Sequence, residues 1–149
     1  MALAVAEAHR VLRPGGQLID IHPAGAPLRL ELWQARAGHV PADRAAEAFD
    51  RRILGDLGPE DMVDDFVESS RAIANAPAHG FELVETVTFD YRFFFDTLDD
   101  LTEYLEDNEE LDLASDALLE QALHALQQSS ARAQLVLVQP VIATRLHKT

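Results

Sequence analysis

Six histidines, His9, His22, His39, His79, His124 and His147, are the chain's readiest general bases and metal ligands. None stands four residues from another or within an H-E-x-x-H pattern, the spacings that place two ligands on one helix face. No metal site is expected. The chain has no cysteine, which removes thiolate nucleophiles, disulfides and cysteine-bound metals together. Ser69, Ser70, Ser115, Ser129 and Ser130 lie outside the G-x-S-x-G context that lifts a nucleophilic serine onto a sharp turn. Gly15-Gly16 is no phosphate loop, because an apolar strand and not a helix N-terminus follows it. No residue is therefore assigned a catalytic or cofactor-binding role. Two features could still face a ligand. His22 follows a parallel-type strand, and ligands in open α/β sheets bind beyond the carboxyl ends of strands; the competing reading is a loop histidine with no chemistry. Tyr91, Phe93, Phe94 and Phe95 could wall a small apolar pocket, although aromatic residues more often fill a core.

These residues need elements to position them. Pro14 ends a helix over Ala2 to Leu12, since its ring clashes with the preceding turn and it lacks an N–H. Gly15 and Gly16 supply the positive φ that reverses the chain. Leu18, Ile19 and Ile21 then make a nearly unbroken apolar run, the pattern of a strand covered on both faces. Pro23 to Pro27 is a loop, and Leu28, Leu30 and Leu32 alternate with Arg29, Glu31 and Trp33 as a half-buried strand. Pro41 and Gly55 bracket an expected helix with Ala45, Phe49 and Ile53 at helical spacing. A second helix opens at Gly58-Pro59-Glu60-Asp61, its apolar face carrying Val63, Phe66, Val67, Ile73 and Ala74, with Ser70 the one polar residue on that stripe. Phe81, Leu83, Val87, Phe89, Tyr91 and Phe93 occupy alternate places in a long strand, and Glu82, Thr86, Thr88, Asp90 and Arg92 form its wetter face. Thr97 caps a helix from Leu98 to Asp107, with Leu98, Leu101, Tyr104 and Leu105 inward. Ser115 caps another to about Gln128, with Leu119, Ala122, Leu123 and Leu126 inward. A last strand from Gln134 to Leu146 contains Pro140, which removes a ladder donor and implies a bulge, a kink or an edge.

At 149 residues, 48% of them hydrophobic, the chain suits one domain, residues 1–149, with a real core. It carries 12 basic and 26 acidic residues, a net charge of −14, so nucleic acid and anionic membranes are not expected partners. From Phe93 to Ala131 there are eleven acids and no Lys or Arg, read as solvated helix faces with a basic partner as the alternative. No apolar run approaches the roughly 20 residues a transmembrane helix needs, and no signal-like start is present. A cytoplasmic protein is expected. The first helix begins without an N-cap, as expected where a larger domain has been cut before it or where the true start lies further upstream.

Ala8-His9-Arg10-Val11-Leu12-Arg13-Pro14-Gly15-Gly16 followed by an apolar strand resembles the class I S-adenosylmethionine-dependent methyltransferases, at the helix and turn before their fifth strand. The later order is similar: helices, a Phe81-Glu82-Leu83-Val84 strand, a helical insert and a last strand near Gln134 to Val138. The resemblance covers nearly the whole chain, as the C-terminal half of that fold. It implies an α/β protein, a truncated Rossmann-like methyltransferase fold with a mixed sheet and flanking helices. It places His22 and the following loop on the substrate side; with Tyr91 and Phe94, His22 is a candidate substrate-side residue. The family's cofactor lies on a glycine-rich loop and an acidic residue of its first half, and no strand followed by a G-x-G-type loop occurs here. S-adenosylmethionine thus enters by resemblance only, and the chain alone is expected to hold no cofactor and to be inactive. The resemblance also orders three strands as fifth, seventh, sixth, and leaves the fifth, Gln17 to His22, without its other neighbour. Such an apolar edge suits a homodimer through Gln17 to His22, or a complementing methyltransferase half, unless Leu28 to Trp33 folds back over it. The alternative to a methyltransferase-like domain is a non-catalytic dimerising or partner-binding module derived from that fold.

Overall fold

A computed structural model describes residues 2–36, 48–58, 63–108, 113–129 and 132–149. In chain order they form α1 (Ala2–Val11), β1 (Gln17–Pro23), β2 (Leu28–Ala35), β3 (Phe49–Leu57), α2 (Val63–Ala74), a 3₁₀ turn (Ala76–His79), β4 (Phe81–Phe95), α3 (Leu98–Asp107), α4 (Asp116–Gln128) and β5 (Ala133–Lys148). The class is α/β. Strand β5 pairs with β1 through residues 141–147 and with β2 through residues 133–138. Strand β4 also pairs with β5, and β3 with β2. The sheet is antiparallel where a mixed one was expected. Parallel neighbours need long crossovers between adjacent strands, whereas each neighbour of β5 here runs against it. Chain contacts divide the molecule into two compact units, Met1–Ala26, Glu60–Tyr91 and Gln139–Thr149 in the first, and Pro27–Pro59 and Arg92–Val138 in the second.

In the first unit, α1 ends in a turn closed by the Gly16 N–H donating to Arg13 O at 2.8 Å. Of the two glycines only Gly15 has a positive φ, +77°; a Cβ on Gly16 would lie 2.9 Å from Arg13 O. One glycine is required by conformation and the other by space. Lys148 Nζ donates to His9 O at 2.6 Å and Leu12 O at 2.9 Å, placing a cation at the negative end of α1. Val5, Leu18, Ile73, Ala76, Phe81 and Leu146 form the core. The expectation that β1 is covered on both faces fails: Ile19 and Ile21 are each 64% exposed. An apolar run identifies a strand, but a second covering layer must come from elsewhere in the chain. The stripe on α2 is also narrower than its spacing suggested, with Ile73 buried, Phe66 half-buried and Val67 and Ala74 exposed. Its expected start at Pro59 to Asp61 lies outside the described residues. Strand β4 forms as expected, yet residues 82–89 are exposed throughout, so its apolar alternation marks a shared face and not a buried one. Pro140 sits where β5 stops pairing with β2 and begins pairing with β1. Its carbonyl accepts from Ala24 N–H at 2.8 Å, and its missing donor falls in that gap.

The second unit corrects one helix. Residues 49–57 are a strand, and the preceding 37–47 lie outside the described residues. Phe49 and Ile53 fit a helical spacing, but they also share a strand face. A bulge at Leu54, between the pairs Leu30–Gly55 and Glu31–Ile53, shifts the alternation so that Leu54 and Leu57 both reach the core. That core joins Leu30, Leu32, Leu54, Leu57, Leu135 and Leu137 to Leu101 and Leu105 of α3 and Leu118, Ala122 and Ala125 of α4. Leu123, expected inward, is exposed. Thr97 caps α3 in a full capping box with Asp100, and Ser115 caps α4, as their types require. The acids of both helices, Asp99, Asp100, Glu103, Glu106, Asp107, Asp116 and Glu120, face solvent. Strand β2 is buried from Leu30 to Trp33, not half-buried. Its polar face holds because Glu31 Oε1 accepts from Arg29 Nε and Oε2 from Trp33 Nε1, each at 2.7 Å, so the buried carboxylate is fully paired.

Candidate functional site

The period of β1 sets the chemistry of the first unit. Leu18, Asp20 and His22 share one face; Gln17, Ile19 and Ile21 share the other. On the first face the His22 ring is 5% exposed. Its Nδ1 donates to Asp20 Oδ2 at 2.5 Å, and Nε2 meets Ser70 Oγ of α2 at 2.9 Å. With Nδ1 carrying the proton toward the carboxylate, Nε2 of the neutral tautomer accepts from the Ser70 hydroxyl. Carboxylate, imidazole and hydroxyl stand in the order of a serine hydrolase relay. Ser70 differs in its setting. It lies inside α2, where its own amide and the next are committed to the helix ladder, so neither is free to hold an oxyanion. We therefore read the array as a polar clamp that fixes α2 on β1.

The opposite face of β1 is bare. Ile19, Val87, Ala143 and the paired Glu85 and Arg145 line a shallow depression of about 270 Å³, with Arg145 Nη2 3.2 Å from Glu85 Oε2. Ile21, opposite Ala143, and the exposed Phe89 and Tyr91 add to its apolar surroundings. Both helices of the unit lie against the other face, α1 and α2 through the core around Leu18 and Leu146, and α2 again through Ser70. In the second unit a depression of about 240 Å³ is lined by Gln34, Asp50, Arg52 and Gln128 among others, a mixture of charges that selects no one ligand.

The expected substrate-side residues part company. His22 is turned under α2, and Tyr91 is 54% exposed. Phe94, in the second unit, meets Trp33 edge-on at 5.6 Å, within a cluster that includes Phe49, Val136 and Val138. Asp20 and Ser70 were missed by motif reasoning. Their signals were present: Asp20 is two residues from His22 on a strand, and Ser70 is the lone polar residue on an apolar stripe. Among the described residues no group of three or more His, Asp or Glu could hold a metal ion. No helix among them is long and apolar enough to cross a membrane. Comparison with known proteins finds no matching family model and no matching curated protein.

Proposed function

We propose that this chain is the substrate-side half of a methyltransferase-like fold and works as a pairing module, its open sheet layer completed by a second polypeptide. The reading carries no cofactor site and no catalytic residue within the chain itself. The observation that carries it is the bare face of β1, with Ile19 and Ile21 each 64% exposed while α1 and α2 both pack on the opposite side. A Rossmann-like sheet is covered by helices on both faces, so a half retaining the helices of one face leaves the other uncovered. Strand β5 pairs with both β1 and β4, the two neighbours that the resemblance gives to its last strand, which supports the reading. Surplus apolar surface of this kind belongs to interfaces. The second polypeptide is either a complementing methyltransferase half or another copy of the chain, and in a purified sample only the copy is present.

Two measurements test this. Calorimetric titration with S-adenosylmethionine should give no binding, and a dissociation constant of about 10 μM or tighter would contradict a cofactor-free half. Light scattering coupled to size exclusion should give about twice the chain mass of 16.5 kDa. A clean monomer at high micromolar concentration would overturn pairing between copies and leave a complementing half as the partner.

A further inference from the structure

Backbone polarity of β1 specifies how a partner strand must lie. In an antiparallel ladder a residue's N–H and C=O point the same way, and alternate residues point opposite ways. Lys148 N–H donates to Gly16 O and Ala24 N–H donates to Pro140 O, each at 2.8 Å. The even-numbered residues from 16 to 24 therefore turn their backbone groups toward β5. Gln17, Ile19 and Ile21 turn theirs to the open edge, where no further strand pairs with β1 among the described residues. Pro23 ends that row because it has no N–H.

This edge carries no unpaired charge that would hold two copies of the same chain apart there. Between Gln17 and Pro23 the only charged residue is Asp20, which is turned to the other face and bonded to His22. Beyond β1, Glu85 and Arg145 neutralise each other. A basic or acidic partner would find no opposite charge along the strand. A second copy, acidic overall at −14, meets an uncharged strip whose donors and acceptors are self-complementary about a two-fold axis.

We infer that two copies pair through β1 in a two-fold antiparallel register centred on Ile19. The axis can pass through any residue from Leu18 to His22. Centring on Leu18 sets Ile21 against Gly15, whose N–H already donates to Lys148 O, and centring on His22 sets Ile21 against Pro23, which has no N–H. Centring on Ile21 sets Ile19 against Pro23 and loses the bonds that need the proline's N–H. Centring on Asp20 sets the two Asp20 carboxylates directly opposite, with Cα atoms about 4.5 Å apart in a non-hydrogen-bonded pair, and like charges there are destabilising. Centring on Ile19 sets Ile19 against itself and Gln17 against Ile21 twice, so every open donor of the row finds an acceptor. Leu18 then faces Asp20, and the isoleucines of both copies form one apolar strip on the bare face.

This register rests on the pairing role proposed above, and cysteine cross-linking separates the two. The chain contains no cysteine, so single substitutions report one position each. Opposed residues of a hydrogen-bonded pair have Cα atoms about 5.5 Å apart, within disulfide reach. Under mild oxidation Ile19→Cys should cross-link to itself, giving a band of twice the chain mass on non-reducing gels. Ile21→Cys alone should not, but mixing it with Gln17→Cys should give the mixed disulfide. A sample of dimer mass in which Ile19→Cys fails to cross-link, or Ile21→Cys links to itself, overturns the register and leaves the pairing role standing. A monomer mass for the unmodified chain overturns pairing between copies and the register with it.

Discussion

Ser70→Ala tests whether the polar array between β1 and α2 holds the first unit together. The substitution deletes one hydroxyl from a helix and keeps a good helix former, so its effect comes from the lost contact. Ser70 Oγ lies 2.9 Å from His22 Nε2, and His22 is 5% exposed, which leaves water little access to the abandoned nitrogen. An unsatisfied buried polar atom costs about 1–3 kcal/mol. For a chain of this length each kcal/mol lowers the melting temperature by about 2–4 °C. His22→Leu should cost at least as much, because it strands the Asp20 carboxylate, whose side chain is 14% exposed, along with the hydroxyl. The double variant should fall short of the sum by about 0.5–3 kcal/mol, the range for residues in one network. Urea unfolding of the three variants gives the cycle, with Glu68→Ala on the exposed side of α2 as a control expected to stay within about 0.5 kcal/mol. A Ser70→Ala midpoint equal to the parent's would refute the clamp. Additive single effects would mean that the two side chains do not act on each other.

Leu105→Ala should destabilise by about 2–5 kcal/mol, since the side chain is fully buried between α3 and the sheet; a loss below about 1 kcal/mol in urea unfolding would show that the site collapses around the deletion. Thr97→Ala breaks the capping box of α3 and should cost about 0.5–2 kcal/mol, with amide exchange quickening first in residues 98–101. Lys148→Met keeps the stem but removes the cation from the carbonyls of His9 and Leu12; helicity of α1 by NMR shifts should drop, and an unchanged α1 would dismiss the cap. Ile21→Lys should leave the unfolding free energy of a dilute sample within about 0.5 kcal/mol of the parent, as for an exposed site, while abolishing any dimer at high concentration.

Some of this architecture is written in short stretches of chain. Thr97 and Ser115 announce their helices because a capping hydroxyl acts on amides two or three residues away. Pro14 and Gly15 mark the turn into β1 because proline and positive φ act on their own residues. The strand character of 81–95 follows from alternation alone. Other features depend on what packs against what. Phe49 and Ile53 satisfy a helical and a strand period alike, and only pairing with β2, with its bulge at Leu54, selects the strand. Ile19 and Ile21 look like core residues and lie exposed, while Glu31 looks like a surface residue and is buried. Periodicity tells which side chains share a face; whether another layer covers that face is settled by distant segments. The clamp is the sharpest instance, since Ser70 meets His22 across 48 residues of sequence. Asp20 and His22 are neighbours by strand geometry, but only the docking of α2 turns that pair into a three-member array, because burial and partnering arise from tertiary contacts that no local pattern encodes.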